Sequence, residues 1–113
     1  MTDWNDYRHN LGTNVSALQA LTPDTLRAVG ALDGAAAKGG HLDAKTRELI
    51  SLAVAVTTRC DGCIAVHSAA AVKAGATREE IAEALSVAIA LNAGAALVYS
   101  SRVIEAVDSV AKA

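Results

Sequence analysis

Cys60 and Cys63 are the two cysteines of the chain, and two residues separate them. At that spacing the sulfurs can meet within one helical turn and close a small, reversible disulfide ring. The apolar stretch IAVHSAAAVKA follows at once. The pair is therefore expected at a helix N-terminus, where unpaired backbone N–H groups and the dipole favour an anionic sulfur. His67 stands four residues beyond Cys63 and seven beyond Cys60. At about 3.6 residues per turn all three side chains project from one face, so an imidazole base lies beside the thiols.

Glu48 opens the apolar run LISLAVAV, twelve positions before Cys60. Along one straight helix that separation is about 18 Å, at ~1.5 Å per residue. The carboxylate reaches the thiols only if its helix packs back across the next one. Half-burial at the edge of such a run suits a proton acceptor better than it suits an ordinary surface charge.

Glu48, Cys60, Cys63 and His67, at separations of twelve, three and four, resemble the signature of the alkyl hydroperoxidase D-like proteins within the carboxymuconolactone decarboxylase superfamily. RELISLAVAV ahead of the cysteines and CIAVHSAAAVKAGATREEIAEAL around and behind them carry the same likeness, which runs from about Thr22 to about Tyr99. The resemblance implies an all-α fold, a compact bundle of about six helices with the C-x-x-C pair at a helix N-terminus. It also implies peroxiredoxin-type, thiol-dependent reduction of hydrogen peroxide or organic hydroperoxides, or of another protein's disulfide. By position, Cys63 is the implied attacking sulfur and Cys60 the one that resolves the sulfenic acid, while Glu48 and His67 move protons. Electrons are implied to come from an external thiol or a lipoyl-type reductant protein, and the assembly to be a homotrimer or homohexamer. One position departs from the pattern: members of the family carry a histidine between the cysteines, and here the pair is Asp61-Gly62. Asp61 opposes thiolate formation and Arg59 favours it, so their effects act against each other.

Other readings of the same residues stay open. Cys60, Cys63 and His67 could hold zinc, with Glu48 or His41 as fourth ligand, although tetrahedral zinc sites usually draw on two separated clusters and the chain has no second one. The decarboxylase branch of the superfamily acts on a lactone of aromatic catabolism, and that branch lacks the paired cysteines. A redox sensor would use the dithiol without peroxide turnover. His67 could be a core histidine, and Glu48 could pair with Lys45 or Arg47. His9 and His41 read as surface residues, Trp4 and Tyr7 as core or interface packing. No flavin, haem or nicotinamide motif is visible, so no cofactor is expected.

The elements that must position these groups read as helices. Twenty-six alanines, one proline and three aromatics favour closely packed helices over sheet. Trp4, Tyr7, Leu11, Val15 and Leu18 form an amphipathic stripe over 1–20, frayed at its start and interrupted by Gly12. Thr22-Pro23 starts a second helix with Leu26, Val29 and Leu32 on its buried side, and Gly39-Gly40 stops it. Asp43 caps a third helix, apolar nearly all round from Leu49 to Val56 and therefore central. Gly75 closes the cysteine-bearing helix, and Thr77-Arg78-Glu79-Glu80 is a capping box for the next, with Arg78, Glu79, Glu80 and Glu83 on a solvated face.

From Ala84 to Ser101 no residue carries a charge. Asn92 and Gly94 break that run and Glu83 and Arg102 flank it, which argues against a membrane span and for two buried helices joined around Ala93-Gly94. Residues 1–113 read as one domain, and a net charge of -2 gives no drive toward nucleic acid or an anionic membrane. With no basic segment ahead of an apolar core, a secretory signal is not expected and the location is read as cytoplasmic, where a cysteine pair is more often catalytic or metal-binding than structural. At 52% hydrophobic residues with few large side chains, the chain has more apolar helix face than one small bundle covers, so a homo-oligomer is expected.

Overall fold

The computed structural model describes residues 1–112 as five α-helices: α1 (Trp4–Leu21), α2 (Pro23–Ala37), α3 (Ala44–Thr58), α4 (Asp61–Lys73) and α5 (Arg78–Ala111). The all-α bundle is as expected, with five helices in place of about six. The difference lies in α5, which runs unbroken for 34 residues through the expected joint at Ala93-Gly94. Asn92 does not break it because its amide donates to the Ala88 carbonyl at 2.7 Å and to Thr57 Oγ1 on α3 at 2.9 Å. Gly94 costs about 1 kcal/mol relative to alanine, which the alanines around it can carry.

Most helix ends follow their local chemistry. Asp43 accepts from the Thr46 N–H at 2.8 Å to start α3, and Thr77 and Glu80 form the reciprocal capping box of α5. Gly75, at φ +90, closes α4 while the Ala76 N–H reaches back to the Ala71 carbonyl. Two ends differ from expectation. Asp3 caps α1 through the backbone of Asn5 and Asp6, so this helix starts firmly at Trp4 and passes through Gly12 without interruption. Thr22 precedes Pro23 as expected, but its hydroxyl pairs with that of Thr25 and not with a backbone N–H.

The centre of the bundle is a seam of small residues. α3 packs against both α4 and α5, α1 lies on α4, and α2 leans on α1. Leu52, Ala55, Ala65, Ala71 and Ala88 are buried there, and alanine lets the three helix backbones approach closely. The expected buried side of α2 is not found: Leu26 is only half-buried, and Val29 and Leu32 are 56% and 74% exposed because nothing among the described residues covers that face.

One cross-helix ion pair ties the N-terminus of α3 to that of α5, with Lys45 Nζ 2.7 Å from Glu80 Oε2. This takes Glu80 out of the freely solvated face expected for it. The hydrogen bond from Lys45, helped by the Thr77 backbone, holds the Glu80 carboxyl below its ordinary value of 4.5, and the same bond holds Lys45 above 10.5. The Glu80 contribution to stability is thus present above about pH 4.5 and lost as pH falls through the depressed value; that of Lys45 is present below about pH 10.5 and lost as pH rises through the elevated one. Lys45→Met should lower the melting temperature at neutral pH, and the gap from wild type should close at both acid and alkaline extremes in a circular-dichroism series.

Candidate functional site

The site is built at the turn between α3 and α4. Arg59 ends α3 in the left-handed conformation (φ 55, ψ 50), and the Cys60 N–H closes the turn on the Ala55 carbonyl at 3.0 Å. Cys60 is then extended and serves as N-cap of α4, its Sγ accepting from the Cys63 N–H at 3.1 Å. The two cysteines form a disulfide, with Cα atoms 5.2 Å apart, and both are half-buried.

From this turn α4 returns along α3, and the return brings Glu48 to the site. His67 Nδ1 lies 2.7 Å from Glu48 Oε2, with the two side chains 28% and 22% exposed. The pairing with Lys45 or Arg47 does not occur; Lys45 goes to Glu80, and Arg47 donates to the Leu42 carbonyl at 2.6 Å. An ionised Glu48 fixes the Nδ1–H tautomer of His67 and leaves Nε2 as a proton acceptor. One helical turn separates that imidazole from Cys63.

Helix α1 braces the same turn from outside. Arg8 donates to the carbonyl of buried Ala65 at 2.9 Å, and a Cβ built on Gly62 would come within 3.2 Å of Leu11 Cδ2. Leu11 therefore fills the space into which a side chain at the second intervening position would project. Neither Arg8 nor Leu11 carries a sequence signal beyond helical periodicity.

A cavity of about 510 Å³ opens beside the Glu48–His67 pair, between the end of α2, the loop after it and α3. His41, Arg47 and Asp33 contribute polar groups to it, while neither cysteine lines it. His41 is exposed as expected, yet it lines this cavity with Glu48 and His67. The zinc arrangement does not fit this geometry. Both sulfurs are spent in the disulfide, and among the described residues no group of three or more His, Cys, Asp or Glu is placed to hold a metal ion.

Residues 23–106 match the model of the carboxymuconolactone decarboxylase family. The chain belongs to that family. An uncharacterized protein of Haemophilus influenzae is 55% identical over 105 residues, 93% of each chain, and one of Cupriavidus necator is 31% identical over 96% of each. Among solved structures, a carboxymuconolactone decarboxylase family protein from Legionella pneumophila superposes with a TM-score of 0.74 at 36% identity, covering 90% of this chain and 91% of that one. A protein from Methanobacterium thermoautotrophicum gives 0.66 at 34% identity, over 73% and 94%. The family match includes Glu48 and the whole C-x-x-C helix and begins at the first residue of α2, so α1 with its brace on Gly62 lies outside it.

A left-handed residue with a Cβ costs roughly 1–2 kcal/mol, of which glycine's extra unfolded-state freedom takes back about 0.5–1. Arg59→Gly should therefore raise the unfolding free energy of this family member by up to about 1 kcal/mol in urea titration of the oxidised protein.

Proposed function

We propose that this member of the carboxymuconolactone decarboxylase family is a thiol-dependent oxidoreductase whose Cys60–Cys63 pair reduces hydrogen peroxide or organic hydroperoxides. The observation that carries the reading is the closed pair at the N-terminus of α4, one turn from a hydrogen-bonded His67–Glu48. In the reduced protein the Cys63 thiolate attacks the distal peroxide oxygen. An S–O bond forms, the O–O bond breaks, and the leaving alkoxide takes a proton delivered from His67. Cys60 then attacks the sulfenic sulfur, forming the disulfide and expelling hydroxide, which is protonated to water. The sum is one peroxide and one dithiol converted to an alcohol, a water and a disulfide. An external dithiol, a small thiol or a lipoyl-type protein, reopens the ring by exchange, which suits a reducing compartment such as the cytoplasm. Glu48 holds the imidazole and balances its charge when it is protonated.

A second reading draws on the cavity. A half-buried acid–base pair beside about 510 Å³ of space is also what a decarboxylase-type reaction on an organic acid would use, and it would leave the cysteines as bystanders.

The two readings separate on the intact mass of reduced protein before and after one equivalent of an alkyl hydroperoxide. The redox reading expects rapid loss of two hydrogens, reversed by a dithiol; unchanged mass with free thiols, together with turnover of carboxymuconolactone, would leave the second. Cys63→Ser should abolish peroxide consumption, whereas Cys60→Ser should reduce one equivalent and stop at the sulfenic acid. His67→Gln and Glu48→Gln should each slow oxidation by about 10²–10⁴-fold, the range of a lost acid–base group, in single-turnover thiol titration.

A further inference from the structure

Helix α1 concentrates its packing in one place. Of its 18 residues only Trp4, Tyr7, Arg8 and Leu11 are not exposed, a single face in its first half, and from Gly12 to Leu21 every residue is exposed. Asp3 caps this end and the Trp4 and Tyr7 rings meet at 5.6 Å, so the packed half starts firmly. The face lies on α4, and two of its contacts fall on either side of Cys63. Leu11 sits against Gly62, one residue before it, and Arg8 donates to the carbonyl of Ala65, two residues after it. Ala65 is fully buried, and Ser68 Oγ donates to the same carbonyl at 3.2 Å.

The first turn of α4 needs such support. Gly62 stands in it, and glycine is a poor helix former because it loses the most backbone freedom on winding. Yet the turn bears on the sulfurs directly, through the Cys63 N–H that Cys60 Sγ accepts at 3.1 Å. While the turn stays wound, the sulfur of the reduced protein keeps a hydrogen bond that strengthens when it ionises; unwinding takes the donor away. Glycine is also what admits Leu11, since a Cβ at position 62 would come within 3.2 Å of Leu11 Cδ2. One residue thus weakens the turn by itself and opens the seat for the side chain that holds it.

We propose that α1 is a positioning element of the dithiol: Leu11 on Gly62 and Arg8 on the Ala65 carbonyl hold the first turn of α4 wound, so that the Cys63 N–H stays aimed at Cys60 Sγ in the reduced protein. Leu11 is the main positioning residue and acts through the backbone of α4. The proposal rests on the reading of Cys60 and Cys63 as a working dithiol, and it sets their reactivity partly from outside residues 23–106, the segment that the family model matches. The charged and titratable groups on the elements around the pair are Arg59 and Asp61 beside the cysteines, Glu48 on α3, His67 on α4, and Tyr7 and Arg8 on α1. Leu11 and Gly62 carry no charge, so substitutions at these two positions leave all of those groups in place and isolate the effect of the donor.

The test is the rate at which iodoacetamide alkylates the first thiol of the reduced protein as a function of pH, with circular dichroism as the check on folding. Leu11→Ala should move the midpoint of the profile upward by about 0.3–0.7 pH, which is an about two- to fivefold slower reaction below it. Leu11→Met, which refills the seat, should follow wild type. Adding Gly62→Ala to Leu11→Ala should bring the midpoint back, because alanine winds the turn by its own propensity and no longer meets Leu11. Should Leu11→Ala fail to fold, Leu11→Val should show a smaller shift in the same direction. A profile of the smaller variant superposed on wild type, or a shift that Gly62→Ala leaves untouched, would overturn the proposal. Peroxide takes no part in alkylation, so a reduced protein inert to hydroperoxide that still shows these shifts would sink the peroxidase reading and uphold the role of α1.

Discussion

When α3 ends on a left-handed Arg59, the chain reverses within two residues and α4 runs back along it. Every feature of the site depends on that reversal. Glu48 and His67 are nineteen positions apart and meet only because the two helices fold against each other. Cys60 becomes an N-cap only because the turn delivers it in an extended conformation. The local cost of placing arginine in that region is accepted at the point where two thiols must be aimed. Backbone strain beside a reactive group is where such costs tend to collect.

The interior that holds the turn in place has an unusual make-up. Among the described residues, four of the five buried hydrophobic ones are alanine, which removes little apolar area from water but allows close approach of helix axes. Larger side chains were placed outside, on α2 and the far half of α5, where the isolated chain leaves them in solvent. Secondary structure is thus governed by local propensity, while much of the large apolar area stays at the surface of the chain.

Much of this was legible in residue types and spacing. The helix starts at Asp43 and Thr77 and the stop at Gly75 follow from short-range chemistry that survives in any tertiary setting. Three things were not. Asn92 reads as a breaker until its amide is seen bridging to Thr57, a partner 35 positions away. Pattern alone predicts a buried side at Val29 and Leu32, yet they are 56% and 74% exposed, because periodicity shows an apolar face without showing that anything packs on it. The space at Gly62 is set by Leu11 from another helix, and no motif around the cysteines carries that information.

The bond from the Cys63 N–H to Cys60 Sγ makes the first turn of α4 and the state of the dithiol two sides of one equilibrium. A thiolate at that position accepts a charge-assisted hydrogen bond and sits at the positive end of the helix dipole, an advantage the disulfide sulfur has only weakly. The helix thereby favours the reduced form, and by linkage it makes the ring a better electron acceptor. Loosening of that turn withdraws the donor and lets the ring persist. Arg8 grips the Ala65 carbonyl across 57 positions of sequence, so the grip of α1 on this turn bears on how readily the disulfide opens.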